Sequence, residues 1–222
     1  MARTRDFGVS THLYHGQRLT RDHVLEVAAH GFDRVELFAT RTHLDYHNPG
    51  VIADFQGWLA EAGLALHSVH APIGERYTAG RWGEPLNLAS PDEGTRRHAL
   101  DEAERALHVG RRIPFSTLVL HLGVLKTPQS FAGENSRDAA RRSVDALQRQ
   151  AAPLGVRLAV EVILNDLSTP GALVHFVETV ADGAGLGICL DFGHAHIGGD
   201  LVDAVETVSE HVIATHVHDN RG

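Results

Sequence analysis

Short β-branched runs alternate with longer stretches of helical period along this chain, and that alternation constrains the fold more than any other feature. Successive strands that run the same way need a crossover between them, and repeated crossovers build a parallel sheet covered by helices. The pattern predicts strands near Asp6 to Ser10, Arg34 to Phe38, Ala65 to His70, Thr117 to His121, Arg157 to Val162, Gly187 to Asp191 and Ile213 to His218. Helix starts are marked by Asn48-Pro49, by Ser90-Pro91-Asp92-Glu93 with its capping-box glutamate, and by Thr169-Pro170. Between Glu93 and Val109, Ala99, Ala103, Ala106 and Leu107 share one helical face, and Arg97, Asp101, Glu104 and Arg105 lie largely on the other. Gly31, Gly63, Gly110 and Gly155 mark helix exits. The reading gives seven strands and six helices in repeated βα units.

No Ser/Gly linker or change of composition divides the sequence, so residues 1–222 are expected to form one domain. The longest irregular stretch, Ala71 to Ala89, follows the third strand and reads as a lid. A net charge of −8 argues against a broad nucleic-acid surface, which needs clustered Lys and Arg. The single cysteine, Cys189, can form no internal disulfide. No apolar segment follows the basic N-terminus, and none approaches the roughly 18 apolar residues of a membrane span. A cytoplasmic protein with no membrane partner is therefore expected. No GxGxxG follows the first strand and no serine nucleophile elbow is present, so nucleotide binding and acyl transfer are unsupported.

Chemistry collects at the C-terminal ends of the predicted strands, where a parallel barrel builds its active site. Five of these ends carry His70, His121, Glu161, Asp191 and His216, and Glu36 adds a sixth polar residue in Val35-Glu36-Leu37-Phe38. A carboxylate flanked by Val or Leu is costly to bury unless something cationic meets it. Two carboxylates and an imidazole from neighbouring strand ends, Glu161, Asp191 and His216, suit a divalent metal such as Mn²⁺, Mg²⁺, Co²⁺ or Zn²⁺. A lone histidine is ordinarily a satisfied core or surface residue; the recurrence at equivalent strand ends is what points to a metal. His12, His15, His43 and His47 follow the first two strands and are weaker candidates for the same pocket.

Leu190-Asp191-Phe192-Gly193-His194 and His216-Val217-His218-Asp219-Asn220, in this order behind Glu161, resemble the xylose isomerase-like TIM barrels. That family includes sugar isomerases, ketose 3-epimerases, inosose dehydratases and metal-dependent endonucleases that act at abasic sites. The resemblance covers nearly the whole chain and implies a (β/α) TIM barrel. It also implies that Glu161, Asp191 and His216 hold the metal, as the matching Glu, Asp and His do in the epimerase branch. His194 matches a residue that contacts substrate oxygens, and His70 and His121 match positions that bind further zinc ions in the endonuclease branch or line the pocket elsewhere. The family's fourth ligand, a Glu on an eighth strand, has no counterpart before Arg221-Gly222, so the eighth βα unit is expected to be missing. Homo-oligomers are common in the family and are possible here on the same resemblance.

The activity so implied is isomerisation or epimerisation of a small sugar or polyol ketone through an enediolate. Glu161 would act as ligand and base, and His194 would orient or protonate a substrate oxygen. His70, His121, Glu36 and Trp82 would line the substrate, with Trp82 or Phe38 as an apolar wall. Three alternatives stay open: an inosose-type dehydratase, a zinc-dependent abasic-site endonuclease using His70, His121, Glu161, Asp191, His194 and His216, and an inactive barrel fragment.

Overall fold

A computed structural model describes residues 7–127, 130, 133–180 and 185–219. In chain order they form β1 (Val9–Ser10), α1 (Arg21–Ala29), β2 (Arg34–Phe38), α2 (Pro49–Ala62), β3 (Ala65–His70), β4 (Tyr77–Thr78), β5 (Arg81–Trp82) and α3 (Glu93–Leu107). There follow β6 (Thr117–Leu120), α4 (Arg137–Ala151), β7 (Arg157–Glu161), α5 (Pro170–Val180), β8 (Leu186–Asp191), α6 (Phe192–Gly198), α7 (Leu201–Val208) and β9 (Val212–His216). Seven strands pair in the order β1-β2-β3-β6-β7-β8-β9, every neighbour parallel. No helix among the described residues is long and apolar enough to cross a membrane.

The sheet curls into a barrel wall, and side-chain contacts measure the curl. β2 and β9 are five strand positions apart in the sheet order, so in a flat sheet they would be separated by roughly 24 Å. Yet Glu36 of β2 and His216 of β9 lie 3.1 Å apart. They meet across the interior.

Strand parity then sorts the residues into two layers. Leu118, Leu158, Val160, Ile188 and Leu190 point outward into the large core beneath the helices, together with Phe55, Leu107, Leu147 and Leu173. The inward positions hold a separate small cluster of Val119, Ala159 and Cys189, with Ala214 and Ile213 packed on it. Two residues beyond each of Val119, Ala159, Cys189 and Ala214 stand His121, Glu161, Asp191 and His216. Small apolar side chains thus floor the barrel, and the next inward position on the same strand carries a polar group.

Most helix signals act as the sequence predicts. Asn48 caps α2 with Pro49 in the first turn, and Thr169 Oγ1 accepts from the Ala172 amide at the start of α5. Gly31, Gly63 and Gly155 adopt positive φ, whereas Gly110 lies inside a 3-10 turn, His108–Arg111. The cap of α3 is Asp92 rather than Ser90, because Asp92 accepts from the Thr95 amide, whereas Ser90 Oγ accepts from the Asp92 amide, ahead of the helix. The first strand begins at Val9. Asp6 and residues 220–222 lie outside the described residues.

Two elements go beyond the seven strands and six helices read from sequence. The stretch expected as an irregular lid contains the antiparallel hairpin β4/β5, turned by Ala79 (φ 52°) and Gly80 (φ 78°). The other is α6, which starts directly after β8 with Asp191 as its cap.

Helix α4 packs on α3 and β7, and its Leu147 is fully buried. Leu147→Ala should therefore lower unfolding free energy by about 2–5 kcal/mol, read as a lower urea midpoint at unchanged m-value.

Candidate active site at the strand ends

Glu161 is the hub. It ends β7 with 2% exposure, and each of its oxygens faces a different group of imidazoles. Oε2 lies 2.9 Å from His70 Nε2 and 3.0 Å from His121 Nε2. Oε1 lies 2.8 Å from His216 Nδ1 and 4.0 Å from His194 Nδ1. Register explains the meeting: β7 is central in the sheet, with β6 and β3 on one side and β8 and β9 on the other.

Asp191 ends β8 and at the same time caps α6, its Oδ1 accepting from the His194 amide at 2.6 Å. Capping places residue 194 one turn away, with its imidazole Nδ1 3.6 Å from the same oxygen. The spacing in Asp191-Phe192-Gly193-His194 is thus the spacing of a helix start. His218 Nε2 lies 3.1 Å from both oxygens of Asp191, and His216 Nδ1 lies 3.9 Å from Oδ2.

His216 is bracketed by carboxylates. Its Nδ1 faces Glu161 and its Nε2 faces Glu36, whose Oε2 also accepts from Ser68 Oγ at 2.8 Å. Burial alone would push the Glu161 carboxyl up, but the neighbouring imidazoles, His216 foremost, hold it well below the usual carboxylate range. The balance is the same at Glu36, where His216 outweighs burial and brings the carboxyl down to about 2. Reciprocally, burial would lower His216, yet Glu36 and Glu161 hold it well above the ordinary imidazole value. His121 responds in the other direction, because burial outweighs its bond to Glu161.

The sequence candidates therefore divide cleanly. Glu161, Asp191, His194, His216, His70, His121 and Glu36 form one connected cluster. Trp82 stands apart from it on β5, its ring 6.0 Å from Phe38, which in turn lies 5.0 Å from His70. His15 stacks on Trp82 and on His12, and Tyr77 joins them, so the hairpin and the turn after β1 make an aromatic wall. Gly74 keeps this wall close, since a Cβ there would come within 3.0 Å of the Trp82 ring. His43 and His47 are engaged elsewhere, on the Gln17 carbonyl and on Glu102. A surface cavity of about 330 Å³ beside the hairpin is lined by Arg41, Thr42, Asp45, Glu75 and Arg76 and shares no residue with the cluster.

Sequence reasoning gave no role to His218 or Ser68. Both were within reach of the parity rule, because each lies two residues from a site histidine on the same strand line.

The donor set fits a divalent cation. Glu161, Asp191 and His194 each offer an atom within 4.8 Å of the others, and so do Glu161, Cys189 and His216, and His70, His121 and Glu161. Among the described residues His194 Nδ1 is buried without a hydrogen-bond partner, as are His43 Nε2 and Thr40 Oγ1, and of the three it is the one that lies beside Asp191 and Glu161.

A family model described as xylose isomerase-like TIM barrel matches residues 24–222. An uncharacterized protein of Methanocaldococcus jannaschii is 25% identical over 97% of this chain and 71% of its own length. Among solved structures, a D-tagatose 3-epimerase-like protein is 25% identical, with a TM-score of 0.79 over 98% of this chain and 78% of its own. A D-psicose 3-epimerase solved in the presence of D-fructose is 20% identical, with a TM-score of 0.74 over 96% and 72% of the two chains. A xylose isomerase-like TIM barrel protein from Mycobacterium smegmatis, solved in complex with magnesium, is 17% identical, with a TM-score of 0.73 over 97% and 75%. Parallel strands curled around a polar cluster at their C-terminal ends agree with that match, and the chain belongs to the xylose isomerase-like TIM barrel family.

Proposed function

We propose that this chain is a divalent-metal-dependent isomerase or epimerase of a small sugar or polyol ketone. The observation that carries the reading is the convergence of Glu161, Asp191, His194 and His216 at one end of the barrel, with no hydrogen bond to His194 Nδ1 among the described residues. The likeness to a D-tagatose 3-epimerase-like protein over nearly the whole chain supports the substrate class.

Glu161, Asp191 and His216 are the residues that would hold the ion. When bound, a divalent ion supplies Lewis-acid polarisation of a substrate carbonyl and of the hydroxyl beside it. Glu161, buried and anionic, takes the proton from the carbon next to the carbonyl and, for isomerisation, returns it to the former carbonyl carbon; epimerisation instead needs a proton delivered to the opposite face of the carbon that lost one. His70 and His121 steady its second oxygen. His194 donates to or accepts from a substrate oxygen through Nδ1. Phe38 and Trp82 offer an apolar face to the carbon skeleton.

One feature favours a second reading, a zinc-dependent abasic-site endonuclease. His70 and His121 share Glu161 Oε2 and so form a second donor group bridged by one carboxylate. The net charge of −8 opposes it. Zinc-loaded protein should leave abasic-site duplex DNA intact, and salt-sensitive nicking would replace the first reading with the second.

Adding Mn²⁺ or Co²⁺ should raise the melting temperature, since free metal at 100 times Kd stabilises the native state by about 2.7 kcal/mol. Glu161→Gln should abolish that rise. The same substitution should reduce metal-dependent ketose turnover by about 10²- to 10⁴-fold in kcat/KM. Turnover equal to the parent chain rejects the assignment of Glu161 as base.

A further inference from the structure

We propose that Glu36 is a positioning residue for His216: its carboxylate accepts the Nε2 proton and so leaves Nδ1 as the nitrogen that meets the metal. The inference rests on the metal reading of this site and adds to it a residue from the far side of the barrel.

An imidazole that binds a metal is neutral, with one N–H and one lone pair, and the nitrogen that faces an acceptor away from the ion keeps the proton. His216 Nδ1 lies 2.8 Å from Glu161 Oε1 and 3.9 Å from Asp191 Oδ2, inside the carboxylate group that would take an ion. Its Nε2 lies 3.1 Å from Glu36 Oε2. An ionised carboxylate can only accept, so both contacts call for a ring N–H; an ion held at Glu161 and Asp191 would replace the proton on Nδ1, and Glu36 retains the one on Nε2. Glu36 is itself held in place. It is 9% exposed, it pairs in register with Ser68 across β2 and β3, and Ser68 Oγ donates to the oxygen that faces His216.

The other roles open to a buried acid fit less well. Among the described residues Glu36 joins no group of ligand atoms that converge within 4.8 Å, and it faces the His216 nitrogen that points away from Glu161 and Asp191. His216 stands between it and Glu161, within hydrogen-bonding distance of each. Carboxylates that orient a ligating histidine in this way contribute about 10- to 100-fold in metal affinity.

The test compares the parent chain with Glu36→Gln and Glu36→Ala. Calorimetric titration with Co²⁺ gives Kd, and the visible absorption of bound Co²⁺ reports the ligand field. Glu36→Gln should weaken Co²⁺ binding about 10- to 100-fold and change the visible bands, with the metal-free melting curve still cooperative. A measurement on the unsubstituted protein does not depend on either variant folding. In the Zn²⁺-loaded chain, ¹⁵N NMR should show the His216 proton on Nε2 and the metal on Nδ1. Wild-type affinity and unchanged bands in Glu36→Gln, or zinc on Nε2, overturn the role of Glu36 while leaving the metal reading intact. A parent chain that binds none of Co²⁺, Mn²⁺ and Zn²⁺ overturns both.

Discussion

A carboxylate removed from water must find compensation on every side, and at Glu161 three imidazoles from three different strand ends supply it at hydrogen-bonding distance, with a fourth, His194, 4.0 Å away. None of these segments is near another in sequence, so the hub forms only once β3, β6, β8 and β9 are in register with β7. The charge therefore couples the local chemistry to the completed sheet. His216 extends the coupling, because its second nitrogen reaches Glu36 on β2 and joins strands from opposite sides of the interior. Breaking one partner away leaves a buried charge short of donors, which costs far more than a surface pair would.

The division of the core follows from the same arrangement. Outward-facing Leu and Ile make the large contact with the helices, whereas the inward line is kept small at Val119, Ala159, Cys189 and Ala214. Bulky residues on that line would fill the barrel to its mouth. Small ones let the carboxylates and imidazoles two residues on lean over a shallow floor and meet.

Much of this was legible from sequence because both rules involved are local. The run lengths fix where strands end, so Glu161, Asp191 and His216 are legible as strand-end residues; that they also face inward follows from strand alternation once the sheet is seen. The buried face of α3, with Ala99, Ala103, Ala106 and Leu107, followed equally from its period. What escaped has physical reasons. The β4/β5 hairpin is two residues per strand, too short for any alternation to register, and it is turned by an alanine at positive φ where sequence offers no warning. Asp92 displaced Ser90 as cap because either side chain can serve and only the backbone path decides between them. His218 was quoted within a motif but given no partner, since its contact with Asp191 depends on how β8 and β9 lie together.

The double engagement of Asp191 has a consequence for mutational work on this barrel. One of its oxygens terminates a strand-to-helix turn while both lie against ionisable rings, so folding and chemistry converge on a single side chain. A variant at this position can lose activity because the short helix unwinds and carries residue 194 away, with nothing altered in ion affinity itself. Intolerance to substitution at 191 is therefore uninformative about catalysis by itself, whereas positions such as 161, which cap no helix, separate the two effects.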